Sequence, residues 1–209
     1  MLRLSILFLL TIIPVMLAAQ VRATEAVTLN QASKTPLFDG RCDNDEWKSA
    51  TKIDLAAEIS VYLMHTSDSL FVCAKGKPED YTVIDIYIEN AETGQLHNLH
   101  ASAQLGERLL KNKEWSASEF WDLKDWGGFW VPYAGNEDTE NGTRTKFLEG
   151  SHREIQILRR KFLGNSWNMM IGVSAVYHEG EYGAEFFYPD GAMDTDVSTW
   201  RRFAFSKSE

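Results

Sequence analysis

The residues best suited to ligand recognition are aromatic, and they are concentrated in the middle of the chain. The segment from 119 to 133 reads EFWDLKDWGGFWVPY, with a further tryptophan shortly before it. An indole ring can bury about 150–250 Å² in a core, or it can lie flat against the apolar face of a ring-shaped ligand. On the second interpretation the predicted ligand-binding residues are Trp115, Trp121, Trp126, Trp130 and Tyr133.

The spacing of these rings fits neither a strand nor a helix. Trp126 and Trp130 are separated by an even number of positions and would share one face of a strand, but Trp121 would lie on the opposite face. A helix here would have to include Gly127 and Gly128, at a cost of about 1 kcal/mol for each glycine. We therefore predict a loop whose rings point in several directions. Two interpretations remain open: at least one ring is exposed for a ligand, or the rings form a satellite cluster at an edge of the fold.

Acidic side chains crowd two other segments of the sequence. One segment contains Asp39, Asp43, Asp45 and Glu46, and the other contains Asp190, Asp194 and Asp196. Ca²⁺ takes six to eight oxygen ligands, and a bound cation makes neighbouring carboxylates tolerable. Neither segment has the spacing of an EF-hand. The second segment is the predicted calcium site, with a solvated turn as the alternative.

The sequence has no recognisable pattern of catalytic residues. GxSxG, HExxH and CxxC motifs and phosphate-binding glycine loops are absent from it. His97 and His100 are three positions apart, so a strand would place them on opposite faces, where they cannot share a metal ion. We therefore expect a binding protein rather than an enzyme.

The first 23 residues have the composition of a secretory signal peptide. Arg3 is followed by SILFLLTIIPVMLAA, an apolar run too short for a membrane span, which needs about 20 apolar residues. Cleavage is predicted after Ala23, or after Ala19, and would leave no membrane span in the mature chain. The protein is thus predicted to be secreted or periplasmic. A retained membrane anchor is the alternative.

Export would determine the expected state of the two cysteines, and the net charge limits the classes of partner. In an oxidising compartment Cys42 and Cys73 are predicted to form a disulfide, with two buried thiols as the alternative. The bridge would close a loop of about 30 residues, worth roughly 3 kcal/mol in the chain-entropy model. The net charge of −9 and the lack of basic runs argue against nucleic acid and anionic membranes as partners.

Alternating apolar and polar residues predict a series of short strands that would position these side chains. Ile59–Met64 and the run LFVCAKG from Leu70 form a predicted antiparallel hairpin. Further strands are predicted at 84–89, 95–104, 143–148, 153–160, 167–177 and 199–205. Two short helices are predicted at Leu105–Lys113 and Ser116–Lys124.

These elements predict an all-β fold. The number of strands and the turns between them are typical of an antiparallel β-sandwich, immunoglobulin-like or jelly-roll-like, with one long aromatic-rich insertion at 106–142. After the signal peptide at 1–23, we expect a polar leader at 24–36 and a single β-sandwich domain at 37–206.

Several motifs carry a resemblance to a known family. They are FDGRCDNDEW near the mature start, ISVYLMHTSDSLFVCAKG, VIDIYIEN, WNMMIGVSAVY and the closing STWRRFAF. Across most of Leu37–Phe205 the chain resembles the family 9 carbohydrate-binding modules and the wider DOMON-like group. The resemblance implies a β-sandwich that binds without chemistry of its own. In the sugar-binding members two tryptophans clamp a sugar while polar side chains hold its hydroxyl groups.

The sequence therefore predicts a secreted, non-catalytic domain that binds carbohydrate by aromatic stacking and polar edge contacts. One alternative is a secreted interaction or structural domain that packs on a partner protein. Another is a haem-binding electron-transfer domain, because DOMON-type haem domains use Met and His as axial ligands. The haem ligands would come from the Met64–His65 pair and from a second group among Met169, Met170 and His178.

Overall fold

The structure is a computed structural model, and it describes residues 25–42, 45–78, 80–129, 133–147 and 150–206. The side chains of 133–135, 145–147 and 182 are outside this description, and so is the predicted signal peptide. Within the described residues the chain is built from strands and contains no α-helix. No helix of this part of the chain is long and apolar enough to cross a membrane.

The strands form two layers. The first sheet contains β5 (Val83–Glu89), β6 (Leu96–Ala101), β7 (Leu105–Lys111), β8 (Glu114–Trp115), β13 (Ser166–His178), β14 (Glu181–Tyr188) and β15 (Arg201–Phe205). The second sheet contains β2 (Thr51–Asp54), β3 (Ser60–His65), β4 (Ser69–Lys75), β9 (Trp126–Phe129) and β12 (His152–Leu158). A separate hairpin is formed by β10 (Tyr133–Thr139) and β11 (Gly142–Phe147).

The first strand, β1 (Val27–Gln31), joins the two layers. It pairs in parallel with β15 at one end and with β3 at the other, so that hydrogen bonding continues from one sheet into the next. The described strand pairs other than these two are antiparallel, and the predicted β-sandwich is confirmed. Strand β1 lies inside the segment 24–36 that the sequence predicts to be a polar leader, so the strand pairing begins before residue 37.

Alternation along the strands builds the core between the sheets. On β5, Ile84, Ile86 and Ile88 are fully buried and face inward, while Asp85 and Tyr87 point to the opposite face. Inward-facing residues of the second sheet meet them, with Ile155 and Ile157 of β12 fully buried. The predicted hairpin is confirmed as β3 and β4, whose register pairs Leu63 with Val72.

The outer face of the second sheet is covered by the segment that follows β1. A small apolar cluster lies there, and it consists of Ala32, Cys42, Trp47, Met64, Phe71 and Cys73. The predicted disulfide between Cys42 and Cys73 is confirmed and ties this segment to β4. Strand β4 is therefore buried on both faces, which explains its continuous run of apolar residues in the sequence.

Both predicted helices are wrong. Leu105–Lys113 contains β7 and turns into β8, which pairs with β7 through Leu110 and Trp115. The charged Glu107 occupies an inward position between Leu105 and Leu109, and it hides the period of two that is typical of a strand. The predicted insertion at 106–142 also contains strands. Strand β14 is a further difference, because the sequence analysis predicts no strand there.

Candidate functional site

The outward-facing side chains of β5, β6, β7, β13 and β14 form a surface that we call the outer face of the first sheet. Strand register arranges these side chains in rows across the strands. One row runs from Gly106 through His100, Asp85 and Gly172 to Phe187. The next row contains Arg108, Asn98, Tyr87 and Met170. Polar side chains therefore meet in the middle of a surface that has aromatic rings around it.

A chain of hydrogen bonds fixes the polar side chains of these rows. Asn98 Nδ2 donates to Asp85 Oδ1 at 2.9 Å, and Arg108 Nε donates to Asn98 Oδ1 at 2.9 Å. His100 Nδ1 lies 3.0 Å from the same Asp85 oxygen, while its Nε2 lies 2.9 Å from Ser102 Oγ. Asp85 and Asn98 are buried, yet Arg108 and His100 remain partly open to solvent. Because each group is held by its neighbours, the network is ordered before any ligand arrives.

Carboxylates give this face a negative character. Partial burial, and then the nearby carboxylates of Asp85 and Asp194, raise the pKa of Glu185. Burial and the Asp85 carboxylate also raise the pKa of the Tyr87 hydroxyl, against the lowering influence of Arg108. The face therefore offers several acceptors and one strong cationic donor to a bound molecule.

Aromatic rings cover one end of the outer face. Tyr87 lies between Trp115 and Trp200, with ring centroids 5.6 and 6.4 Å away. Tyr87 and Trp200 are buried, but Trp115 is partly exposed and its Nε1 donates to Asp194 Oδ2 at 2.7 Å. The Arg108 guanidinium lies over the Trp115 ring, 5.6 Å from the centroid, in a cation–π contact. Trp115 is thus held in place while part of its surface stays open.

Two glycines keep the row that contains Asp85 and His100 open. A Cβ at Gly172 would lie 3.0 Å from the Phe187 ring, and a Cβ at Gly106 would lie 2.3 Å from Ser118 Oγ and 3.4 Å from the Phe120 ring. Because glycine occupies both positions, the rings of Phe120 and Phe187 approach the sheet closely on either side of the polar pair. The polar side chains of Asp85 and His100 therefore lie on the sheet surface between two aromatic rings.

The predicted aromatic residues have different positions in the structure. Trp115 belongs to the outer face, and Trp121 is 83% exposed. Trp126 is buried in the main core, and its Nε1 donates to Glu107 Oε2 at 2.9 Å, a position that does not support its predicted role in ligand binding. Trp130 lies outside the described residues. Tyr133 begins β10, but its side chain is also outside the description.

Glu107 is largely enclosed between the sheets, where it is a hydrogen-bond partner of the inward-facing Trp126. His97 Nδ1 lies 2.8 Å from Glu107 Oε1, and Lys161 Nζ donates to the same carboxylate at 3.0 Å. Burial alone would raise the pKa of Glu107, but the contacts with His97 and Lys161 lower it overall. The carboxylate is therefore stabilised as an anion inside the sandwich, where it accepts the indole N–H of Trp126.

The carboxylates of the predicted calcium site at Asp190, Asp194 and Asp196 have separate surroundings in the structure. Asp194 accepts the Trp115 indole N–H, and Asp196 accepts the Ser198 backbone N–H at 3.0 Å as the cap of a short 3₁₀ helix. Asp190 is exposed in the preceding turn. Among the described residues no three His, Cys, Asp or Glu side chains converge in a way that could hold a metal ion. Calcium at Asp190, Asp194 and Asp196 stays a prediction that this geometry does not support.

The haem alternative is not favoured by the positions of its proposed ligands. Met64 and His65 are both buried, and Met64 packs in the cluster on the outer face of the second sheet. Both ring nitrogens of His65 are engaged, with Nδ1 3.1 Å from the Thr66 carbonyl oxygen and Nε2 3.0 Å from Ser206 Oγ. This side chain therefore acts as a satisfied structural residue.

Sequence reasoning missed the polar residues of the outer face. Asp85 alternates with isoleucines in VIDIYIEN, and this pattern predicts only that it faces away from the core. Asn98 and His100 occupy equivalent outward positions on the neighbouring strand. Asp85, Asn98 and Arg108 lie close together on adjacent strands, and this proximity would have identified the site. It can be recognised only when the strand register is known.

Comparison with solved structures shows that the fold is shared with other β-sandwich proteins. A carbohydrate-binding module of family 9 from Caldicellulosiruptor kristjanssonii in complex with glucose is similar, with a TM-score of 0.51 and 12% identity over 87% of this chain and 97% of that one. A provisionally assigned carbohydrate-binding protein from Bacteroides uniformis ATCC 8492 matches with a TM-score of 0.54 and 9% identity, over 86% of this chain and 98% of that one. No family model and no curated protein matches the sequence.

Proposed function

We propose that the protein binds carbohydrate on the outer face of the first sheet and does so without catalysing a reaction. The observation that carries the proposal is the hydrogen-bonded set of Asp85, Asn98, His100 and Arg108, which lies on the solvent side of a sheet among aromatic rings. A sheet face that had only to be soluble would not need buried, mutually fixed polar groups.

The chemistry of a sugar matches this arrangement. A pyranose has apolar C–H faces and polar edges, so an aromatic ring meets its face while carboxylates, amides and guanidinium groups meet its hydroxyl groups. Trp115 offers the partly exposed ring next to Arg108. The carboxylates of Asp85, Glu185 and Asp194 can accept hydrogen bonds from sugar hydroxyl groups and would repel an anionic ligand. A neutral saccharide is therefore the proposed ligand class.

The comparisons support this proposal at the level of the fold. The two similar structures are of proteins that are described as carbohydrate-binding, and one of them holds glucose. A shared fold does not by itself establish a shared ligand, so the argument depends on the outer face. Export belongs to the same proposal, because a disulfide between Cys42 and Cys73 suits an oxidising compartment.

Isothermal titration with a panel of neutral mono- and oligosaccharides tests this proposal. Arg108→Ala removes both the donor to Asn98 and the cation over Trp115, and it is expected to weaken binding by about 1–3 kcal/mol, roughly five- to 150-fold. Lys52→Ala is the matched control, since Lys52 lies 6.0 Å over the Tyr62 ring on the second sheet.

The control variant is expected to bind like the native protein, and thermal unfolding should show that both variants are folded. Equal affinities of the native protein and Arg108→Ala would contradict the assignment of the site. Failure of the native protein to bind any saccharide of the panel would contradict the proposed function itself.

A further inference from the structure

We propose that the binding surface continues from the outer face onto a pocket lined by Trp121, so that the ligand is a chain of several sugar residues rather than one ring. This inference rests on the proposed function. The pocket has a volume of about 230 Å³ and is lined by Ala103, Gln104, Leu105, Phe120, Trp121 and Leu123. It lies at the beginning of β7, next to the turn that connects β6 to β7.

Phe120 joins the two surfaces. Its ring lies beside Gly106, where an added Cβ would be 3.4 Å away, and Gly106 belongs to the same row as His100 and Asp85. Phe120 also lines the pocket together with Trp121. A ligand that occupies the polar row therefore reaches the Trp121 pocket across a single aromatic side chain.

The chain between Trp115 and Phe120 runs antiparallel along the edge of β7. Trp115 pairs with Leu110, and the bridge between Glu119 and Glu107 keeps the later part of the segment beside the strand. Trp115 and Phe120 thus lie near opposite ends of the stretch from Leu110 to Gly106. At about 3.4 Å per residue this stretch is about 14 Å long, which is more than a single pyranose ring can span.

The exposed rings are held by the fold. Glu107 and Glu119 exchange two backbone hydrogen bonds of 2.9 Å immediately before Phe120. Leu123, just after Trp121, packs against the main core. Between these anchors Trp121 is 83% exposed and Phe120 is 43% exposed. An ordered segment that presents two rings to solvent gives a ligand a prepared surface at a low cost in conformational entropy.

The surroundings favour a neutral sugar chain as the occupant of the Trp121 pocket. Asp122 is paired with Lys124 at 3.3 Å, so no net positive charge lies beside Trp121 to attract an anionic lipid surface. Gln104 contributes an amide at the rim, which suits a hydroxyl group. The surface is continuous with the outer face, and we therefore assign both to one ligand.

Titrations with glucose and with linear α-1,4- and β-1,4-linked gluco-oligosaccharides of two to six residues test this inference. The affinity of the native protein is expected to rise with chain length. Trp121→Ala should weaken binding of the hexasaccharide by about three- to tenfold and leave binding of glucose unchanged. Tyr81→Ala serves as the control, because Tyr81 is also exposed but lines a different pocket with Arg144.

The outcomes separate the two proposals. If the native protein binds these saccharides and Trp121→Ala binds every length with native affinity, the extended site is overturned while the proposed function stands. Equal losses for glucose and the hexasaccharide would also overturn it, since Trp121 would then belong to a single-ring site. Sedimentation that shows a native dimer turning into a monomer in Trp121→Ala would identify the ring as a contact between copies. If the native protein binds no saccharide, both proposals fail.

Discussion

Among individual residues, Glu154 on β12 has the environment least suited to its charge. Its side chain is buried, one carboxylate oxygen accepts the backbone N–H of Gly40, and the other has no hydrogen-bond partner. Burial, with smaller contributions from Asp39 and Glu46, raises the pKa of Glu154 to about 7. The carboxyl group is therefore largely protonated in mildly acidic solution.

This raised pKa predicts a pH-dependent stability. The folded protein holds the Glu154 proton more tightly than the unfolded chain, so the free energy of unfolding should fall as the pH rises from about 4.5 to about 7. Glu154→Gln keeps a carbonyl acceptor for Gly40 but has no proton to lose. It should be more stable than the native protein at pH 8, by roughly 1–3 kcal/mol, and nearly equal to it at pH 5.

Thermal unfolding of both proteins between pH 5 and pH 8 measures this difference. Glu92→Gln, in an exposed turn, is the control and should follow the native curve. A constant difference between Glu154→Gln and the native protein at all these pH values would show that Glu154 does not titrate in this range.

At the scale of elements, a substitution at Gly172 on β13 should change saccharide binding more than it changes the stability of the fold. A Cβ at this position would lie 3.0 and 3.2 Å from two atoms of the Phe187 ring, so alanine displaces the ring by a few tenths of an ångström. Gly172→Ala should change stability by no more than about 1 kcal/mol, because the strand gains from a less flexible unfolded chain. Its saccharide affinity should fall by several-fold, since Phe187 flanks Asp85 on the outer face.

Gly127→Ala provides the matched comparison. Gly127 also lies in a strand, but an added Cβ there meets no atom within 4 Å. Both variants should be measured by thermal unfolding and by titration with a saccharide that the native protein binds. Native affinity in Gly172→Ala would mean that the position of Phe187 is unimportant for binding.

The sequence was informative for elements in which alternation is simple. The β3–β4 hairpin and strands β5, β6, β12 and β13 follow directly from it. Alternation failed at β7, because the charged Glu107 faces inward and is paired there with His97 and Lys161 from other parts of the chain. It failed at β1 because only Leu29 of that strand is buried, so the segment resembles a polar leader.

The candidate site was predictable only in part. An aromatic residue at Trp115 or Trp121 can be selected from composition, but its exposure depends on tertiary contacts. Asp85 and Asn98 have the outward positions of ordinary surface residues. In the structure both are buried and bonded to each other and to His100 and Arg108 of neighbouring strands, and a single sequence does not contain this register.

At the scale of the whole molecule, the two outer faces of the sandwich are covered differently. The segment after β1, held by the disulfide, covers the second sheet with an apolar cluster around Trp47. On the first sheet, the segment around Trp200 packs with Tyr87 and Met170 and leaves the side chains of Arg108 and His100 partly exposed. This asymmetry is the reason for placing the ligand on the first sheet.

The proposed binding of a saccharide on the outer face of the first sheet can be observed by nuclear magnetic resonance. The signals of the indole and guanidinium N–H groups would be followed during titration with the gluco-oligosaccharides named above. The Trp115 indole and Arg108 Nε signals are expected to shift, because these donors lie at the proposed site. The signals of Trp47 and Trp167, which are buried in other clusters, should stay unchanged. Binding that shifts Trp47 and leaves Trp115 and Arg108 unperturbed would contradict it.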